Sequence, residues 1–277
     1  MHPVLTLGPL PFLDETIRVP SYLLVRVLYL LAAPWLAVRL TTPLGIRPRD
    51  TLAMFLIGVP AGVIGAHALA VLEPGGSPDG GLLDVWHGRS AIFGGFAAGI
   101  ATAAAYAAWR GISARRFLDG CAPVMALGEG ATRLGCFLAG CCWGRPTTSP
   151  LALTFPPRSA VFSAELREGL VTYASPHSLP VHPTQIYASA FGFVLCIALI
   201  RLLRRWRGFE GAVFCVFLLS YALWRFALAY LRGDGGPTIA LGLVSSQLWS
   251  VVAIVFVLYV ASVWRRGPSA ALPGGVS

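Results

Sequence analysis

Apolar residues run along this chain in long, nearly unbroken stretches, and the stretches recur seven times. A bilayer core ~30 Å thick needs about 20 mostly apolar residues in helical form. Residues 20–40, 51–72, 90–109, 118–140, 184–203, 211–231 and 244–264 meet that requirement. The fourth is the most interrupted, broken by Gly, Cys and Arg. The polar connectors are mostly short, with one exception at residues 141–183, which is rich in Pro, Ser and Thr. A connector of that length is usually functional or disordered. The tail beyond Arg266, GPSAALPGGVS, reads as a disordered end over 267–277. The expected organisation is an all-α integral membrane protein, a single transmembrane domain over 1–266 with a small outer-face segment.

Composition agrees and removes the alternatives. Hydrophobic residues make up 56% and charged residues 12%, with a mean hydropathy of +0.71. Soluble domains carry about a quarter charged residues, so a soluble enzyme, a disordered chain and a coiled coil are all excluded. The 21 basic residues are all arginine, and the net charge is +9. Loops facing anionic lipid account for that charge, and no nucleic-acid partner is expected. Asp14 and Glu15 precede the first apolar run, so that run is expected to stay in place rather than be removed as a leader.

The arginines set the orientation. Arg39, Arg47 and Arg49 follow the first span, and Arg110, Arg115 and Arg116 the third. Arg201, Arg204, Arg205 and Arg207 follow the fifth, and Arg265 and Arg266 the seventh. The opposite loops hold Glu73, Asp79, Asp84, Glu165, Glu168 and Asp234. The positive-inside rule then puts the N-terminus outside and the C-terminus in the cytoplasm.

A charged side chain inside a span costs at least ~2.5–3.5 kcal/mol on insertion scales, so it faces a partner or a cavity. Arg26, His67, Glu129, Arg133 and Arg225 are such residues. Glu129 and Arg133 stand four apart with the acid first, the favourable order for a helical ion pair. That pair reads either as a neutralised structural bridge or as part of an outward-facing cationic pocket. Four polar segments, three of them bearing glycine, meet the same outer boundary: 130–145, 88–95 with Arg89, Gly94 and Gly95, 232–236, and 182–187. Together they describe a site for an anionic lipid head group. The planar guanidinium of Arg133 suits a phosphate and cannot lose its charge.

At these residues the chain resembles the prolipoprotein diacylglyceryl transferase family of bacterial inner membranes, from Tyr22 to Gln247. Arg133, Gly135, Phe137, Gly140, Gly144 and Arg145 match the family's signature run at its spacing. His182-Pro183-Thr184-Gln185-Ile186-Tyr187 is similar to its His-Pro-Ser-Gln-Leu-Tyr, and Arg232 with Asp234 to its arginine–aspartate element. The resemblance implies transfer of a diacylglyceryl group from phosphatidylglycerol to the lipobox cysteine thiol of a preprolipoprotein, with glycerol phosphate leaving. It implies no cofactor. Arg133 and Arg232 would stabilise charge on the departing phosphate. Tyr22, Arg89, Gly94, Gly95, Gly135, Gln185, Asp234 and Gln247 would bind substrate.

The chain departs from the family in two places. The third-span histidine that the family needs is Phe93 here, and the family's Asn and Glu in the signature run become Cys136 and Cys141. His87 and His182 are the candidates for the vacant base. Alternatively, two arginines lower the incoming thiol's pKa from about 8.5 without any base. Cys121, Cys196 and Cys215 read as small apolar fillers. Cys136, Cys141 and Cys142 cluster at the outer boundary, where an oxidising compartment permits a disulfide from Cys136 to Cys141 or Cys142; no metal is expected. Two other readings stay open: a non-catalytic binder of anionic phospholipid, and a membrane thiol oxidoreductase built on the outer cysteines.

Overall fold

The computed structural model describes residues 4–7, 17–72, 92–157, 159–205, 208–233 and 238–266. Each of the seven apolar stretches falls on a long helix. These are α1 (Ser21–Thr41), α2 (Pro48–Leu72), α3 (Ile92–Arg110) and α4 (Ala114–Ala139), then α6 (Thr184–Arg205), α7 (Ala212–Ala229) and α8 (Ser245–Arg266). A short helix, α5 (Ala160–Arg167), lies within the long connector. Two small antiparallel hairpins are also present: β1 (Val4–Leu7) with β2 (Ile17–Pro20), and β3 (Thr238–Ala240) with β4 (Leu243–Val244). Among the described residues, six helices are long and apolar enough to cross a bilayer, and α4 is the long helix that falls short. Its Asp119, Glu129 and Arg133 explain why. The chain is a multi-pass membrane protein.

Arginine placement also follows helix physics. Arg39 closes α1, Arg110 closes α3, Arg204 and Arg205 close α6, and Arg265 and Arg266 close α8. Cations at a helix C-terminus meet its partial negative charge favourably. The arginines that follow these apolar stretches therefore also complement the helix C-termini.

The helices form two compact units interleaved in sequence. The first takes residues 1–33, 125–198 and 224–236, and the second takes 34–124, 199–223 and 237–277. In the second, α2 and α3 run antiparallel at close range, with Gly58 near Gly99, Gly62 near Gly95 and Gly65 near Gly94. A Cβ on Gly65 would press on the Ala98 Cβ and reach the Gly94 carbonyl oxygen at 2.6 Å. Small residues at helical spacing allow this approach, and without water to drive apolar association such packing holds membrane helices together. Nearby, Ile46, Met54, Ala103, Ala107, Phe117 and Cys121 form a buried cluster.

Three acidic side chains of the second unit are closed on partners. Asp50 Oδ1 accepts from Arg110 Nε and the Tyr106 hydroxyl, both at 3.2 Å. Glu210 accepts from Arg116 Nε and the Ser113 hydroxyl, both at 2.6 Å. The buried Asp119 carboxylate accepts from the N–H groups of Gly211 at 2.7 Å and Phe214 at 2.9 Å, satisfying donors at the start of α7.

Candidate functional site

The site residues of the first unit are positioned by two pieces of backbone. The first is a short extended segment after α4. Gly144 N–H donates to His182 O at 3.0 Å, and His182 N–H returns a bond to Arg145 O at 3.1 Å. On the other side, Arg145 N–H donates to Leu231 O at 2.8 Å and Gly233 N–H to Trp143 O at 3.1 Å. Segment 143–145 is thus clamped between the chain at His182 and the chain at Arg232. Arg145 adds a side-chain bond from Nε to Arg232 O at 3.3 Å. Gly144 is required here, since a Cβ would lie 2.5 Å from His182 Cβ and 2.8 Å from Leu231 O. Three segments far apart in sequence are so held side by side. Beneath them, Phe155, Val161 and Val181 form a buried core with Trp143 packed against it.

The second piece is the last turn of α4. Arg133 Nε donates to Glu129 Oε1 at 2.8 Å, and both side chains are nearly buried. The ion pair expected from the four-residue spacing is present. Two residues on, the Tyr22 ring covers Gly135, where a Cβ would meet Tyr22 Cδ2 at 2.9 Å, and the Arg26 guanidinium lies 6.0 Å from the Tyr22 ring centre. Gly140 then takes a left-handed conformation (φ +71°), and Cys141 N–H closes back onto Cys136 O at 3.1 Å. This is a glycine-capped helix exit.

The chain turns once more at Cys142, a non-glycine residue with φ +61°. A left-handed conformation is disfavoured for such a residue and persists when its surroundings impose it. The start of α6 does so. Thr184 Oγ1 donates to Cys142 O at 2.9 Å, and Gln185 Nε2 to Cys141 O at 2.8 Å. The double turn brings the sulfur atoms of Cys136, Cys141 and Cys142 within 4.8 Å of one another, all as free thiols. The Cys142 thiol is held below its ordinary range. The neighbouring Cys136 and Cys141 thiols stabilise its charged form most, and the guanidinium groups of Arg133 and Arg232 stabilise it further. Arg133 and Arg232, 99 positions apart in sequence, both favour the charged form of this thiol.

Among the described residues of this unit, Gln185 Oε1, His182 Nδ1 and Trp224 Nε1 are buried without a hydrogen-bond partner. Gln185 is 1% exposed. Most buried polar atoms are satisfied, and leaving one unsatisfied costs roughly 1–3 kcal/mol. Together they offer an acceptor, an imidazole nitrogen and an indole donor. The Trp224 indole is stacked on Phe191 at 4.6 Å. The sequence reading gave Trp224 no role, although Arg225 beside it in α7 was a signal. It also left Thr184, which pins the Cys142 turn, without one.

Tyr22, Arg133, Gly135, Gln185, His182, Arg232 and the three cysteines are thus all in the first unit. Gly94, Gly95 and Gln247 belong to the second. The missing side chains of Gly94 and Gly95 are accounted for by the α2–α3 approach. Gln247 Oε1 accepts from Val244 N–H at 3.1 Å, joining β4 to α8. Phe93 packs edge-on against Tyr221, with ring centres 6.1 Å apart. His87, Arg89 and Asp234 lie outside the described residues.

The family described as prolipoprotein diacylglyceryl transferase matches residues 12–263. A Clostridium tetani protein named phosphatidylglycerol–prolipoprotein diacylglyceryl transferase is 28% identical over 253 residues, covering 90% of this chain and 94% of that one. A Leifsonia xyli protein of the same name is 29% identical, covering 89% of this chain and 74% of its own length. A third, from Clostridium perfringens, is 33% identical over 60% of this chain and 57% of its own.

Proposed function

The chain belongs to the prolipoprotein diacylglyceryl transferase family, and from that premise we propose how its first unit performs the transfer. The enzyme takes a diacylglyceryl group from phosphatidylglycerol and attaches it to a cysteine thiol of a prolipoprotein. The thiol sulfur forms a bond to the glyceryl carbon, the bond from that carbon to the phosphate oxygen breaks, and glycerol phosphate departs as an anion. The work takes place at the outer face of a bacterial plasma membrane, with the connector 141–183 helping to receive the peptide.

The observation that carries this reading is the backbone pairing that sets the chain at Arg232 beside Gly144, on the turn that leaves the Arg133-bearing α4. Two guanidiniums near one point favour an anion there, and fixed donors aimed at a leaving phosphate lower the barrier without reorganising at the moment of reaction. Glu129 holds Arg133 by Nε, fixing the orientation of the planar group. Gln185 Oε1 is an acceptor waiting for a donor, which a head-group hydroxyl supplies. Tyr22, over Gly135, closes the same region and contributes a phenol. His182 is the base candidate in this unit, with Nδ1 buried and unpaired.

Incubating the purified protein with phosphatidylglycerol and a lipobox peptide tests the reading. Mass spectrometry is expected to show the peptide heavier by one diacylglyceryl group on its cysteine. An unmodified peptide beside intact lipid binding would leave the second reading, a non-catalytic phospholipid binder. Phe93 favours that alternative, because a phenyl ring packed on Tyr221 neither accepts nor donates a proton.

A further inference from the structure

The three clustered thiols carry out no step in the reading above, and the backbone is shaped to bring them together. Cys136 is on the last turn of α4, while Cys141 and Cys142 follow the glycine that ends it. Their sulfurs meet because Cys142 is held left-handed and because Thr184 and Gln185 hold the two carbonyls of the turn. We propose that Cys136, Cys141 and Cys142 form a three-thiolate site for one thiophilic divalent cation of the zinc class, with a fourth position left for an incoming thiol.

Distance, charge and donor type agree with this. Zinc–sulfur bonds of ~2.3 Å put the sulfurs of a tetrahedral site about 3.8 Å apart. Sulfurs already within 4.8 Å reach that spacing by small side-chain rotations. Soft thiolates select zinc-class cations over magnesium or calcium. Three thiolates and a divalent cation leave one net negative charge, beside Arg133 and Arg232. Cys136 is buried, whereas Cys141 and Cys142 are partly exposed, which leaves one side of the group open. A site with three protein ligands is the open arrangement that catalytic zinc uses, whereas structural zinc is closed by four.

The consequence rests on the transferase reading. An acceptor thiol entering the fourth position gives up its proton to solvent, because coordination deprotonates a thiol outright. Its sulfur then bonds to the glyceryl carbon as the carbon–oxygen bond to phosphate breaks and the electron pair leaves on glycerol phosphate. The thioether, a weaker ligand, departs and the cation keeps its three thiolates. Nothing is oxidised or reduced. The cation thus supplies the deprotonation that would otherwise need a side-chain base.

Metal analysis and cobalt substitution of the whole protein test this. The expected result is about one zinc per chain, lost in Cys136→Ser, Cys141→Ser and Cys142→Ser. Cobalt(II) added to chelator-stripped wild type is expected to give a sulfur-to-cobalt charge-transfer band, so that the site is tested without any variant that might misfold. A cysteine-bearing lipobox peptide shifts the cobalt spectrum and its serine counterpart does not. Absence of bound metal from reduced wild type, or a disulfide that resists metal loading after reduction, overturns the site. A cobalt site blind to the cysteine peptide overturns the fourth ligand. Metal binding with a spectral shift but no diacylglyceryl transfer would leave the site standing and overturn the transferase reading alone.

Discussion

Asp50, Glu210 and Asp119 in the second unit all end on donors from the same unit, as ion pairs or as caps on α7. In the first unit Gln185 Oε1, His182 Nδ1 and Trp224 Nε1 are buried without partners, and three thiols face one another beside arginines. Both units bury charge and both use glycine to bring backbones close. They differ in how these particular groups are engaged: the three acids of the second unit meet donors, whereas Gln185 Oε1, His182 Nδ1 and Trp224 Nε1 of the first do not. A saturated network stabilises and offers a ligand nothing, while an unsaturated one costs stability until a ligand completes it. Damage to the second unit should therefore appear as lost stability, and damage to the first as lost turnover.

The largest effect is expected from Arg133→Ala, which should lower the rate of peptide diacylglyceration by at least about a hundredfold. It also strands the Glu129 carboxylate, so stability falls as well. Adding Glu129→Gln separates the two roles, since the double variant should recover its melting temperature but not its turnover. Recovery of both would make the ion pair purely structural. Next comes Gly65→Leu. Overpacking at the α2–α3 contact is expected to cost about 1–3 kcal/mol, read as a lower melting temperature, with turnover per folded molecule unchanged. Asp119→Ala removes the acceptor at the start of α7 and should cost about 1 kcal/mol by the same measurement, again without affecting turnover. The smallest effect is expected from Phe93→His. With Phe93 committed to an aromatic contact with Tyr221, a histidine there should not raise the transfer rate. A large rise would show a base missing from that place and would undo the division of labour between the units.

Much of this was legible in the sequence because membranes impose simple rules. Runs of about 20 apolar residues give the long helices directly, and the acid-first spacing of Glu129 and Arg133 gives their ion pair. The site's assembly was not legible, because it depends on tertiary pairing without periodicity. The pairings of Gly144 with Arg232 and of Leu153 with Val181 join segments by a few backbone bonds. The Cys142 turn is set by Thr184, 42 positions away. Glycines mislead for a related reason. Sequence alone cannot separate a glycine that admits a head group from one that admits a helix, and Gly94 and Gly95 sit against α2. Likewise Gln247 reads as a ligand-binding amide, yet its oxygen is engaged by Val244 N–H.

The claim at the centre is that Arg133 and Arg232 grip one phosphate together. A double-mutant cycle on phosphatidylglycerol affinity tests it most directly, using wild type, Arg133→Ala, Arg232→Ala and the combined variant in the same detergent. Two groups sharing one phosphate should lose affinity non-additively, with a coupling of about 1 kcal/mol or more. Losses that simply add, or an affinity unmoved by either substitution, would contradict the account.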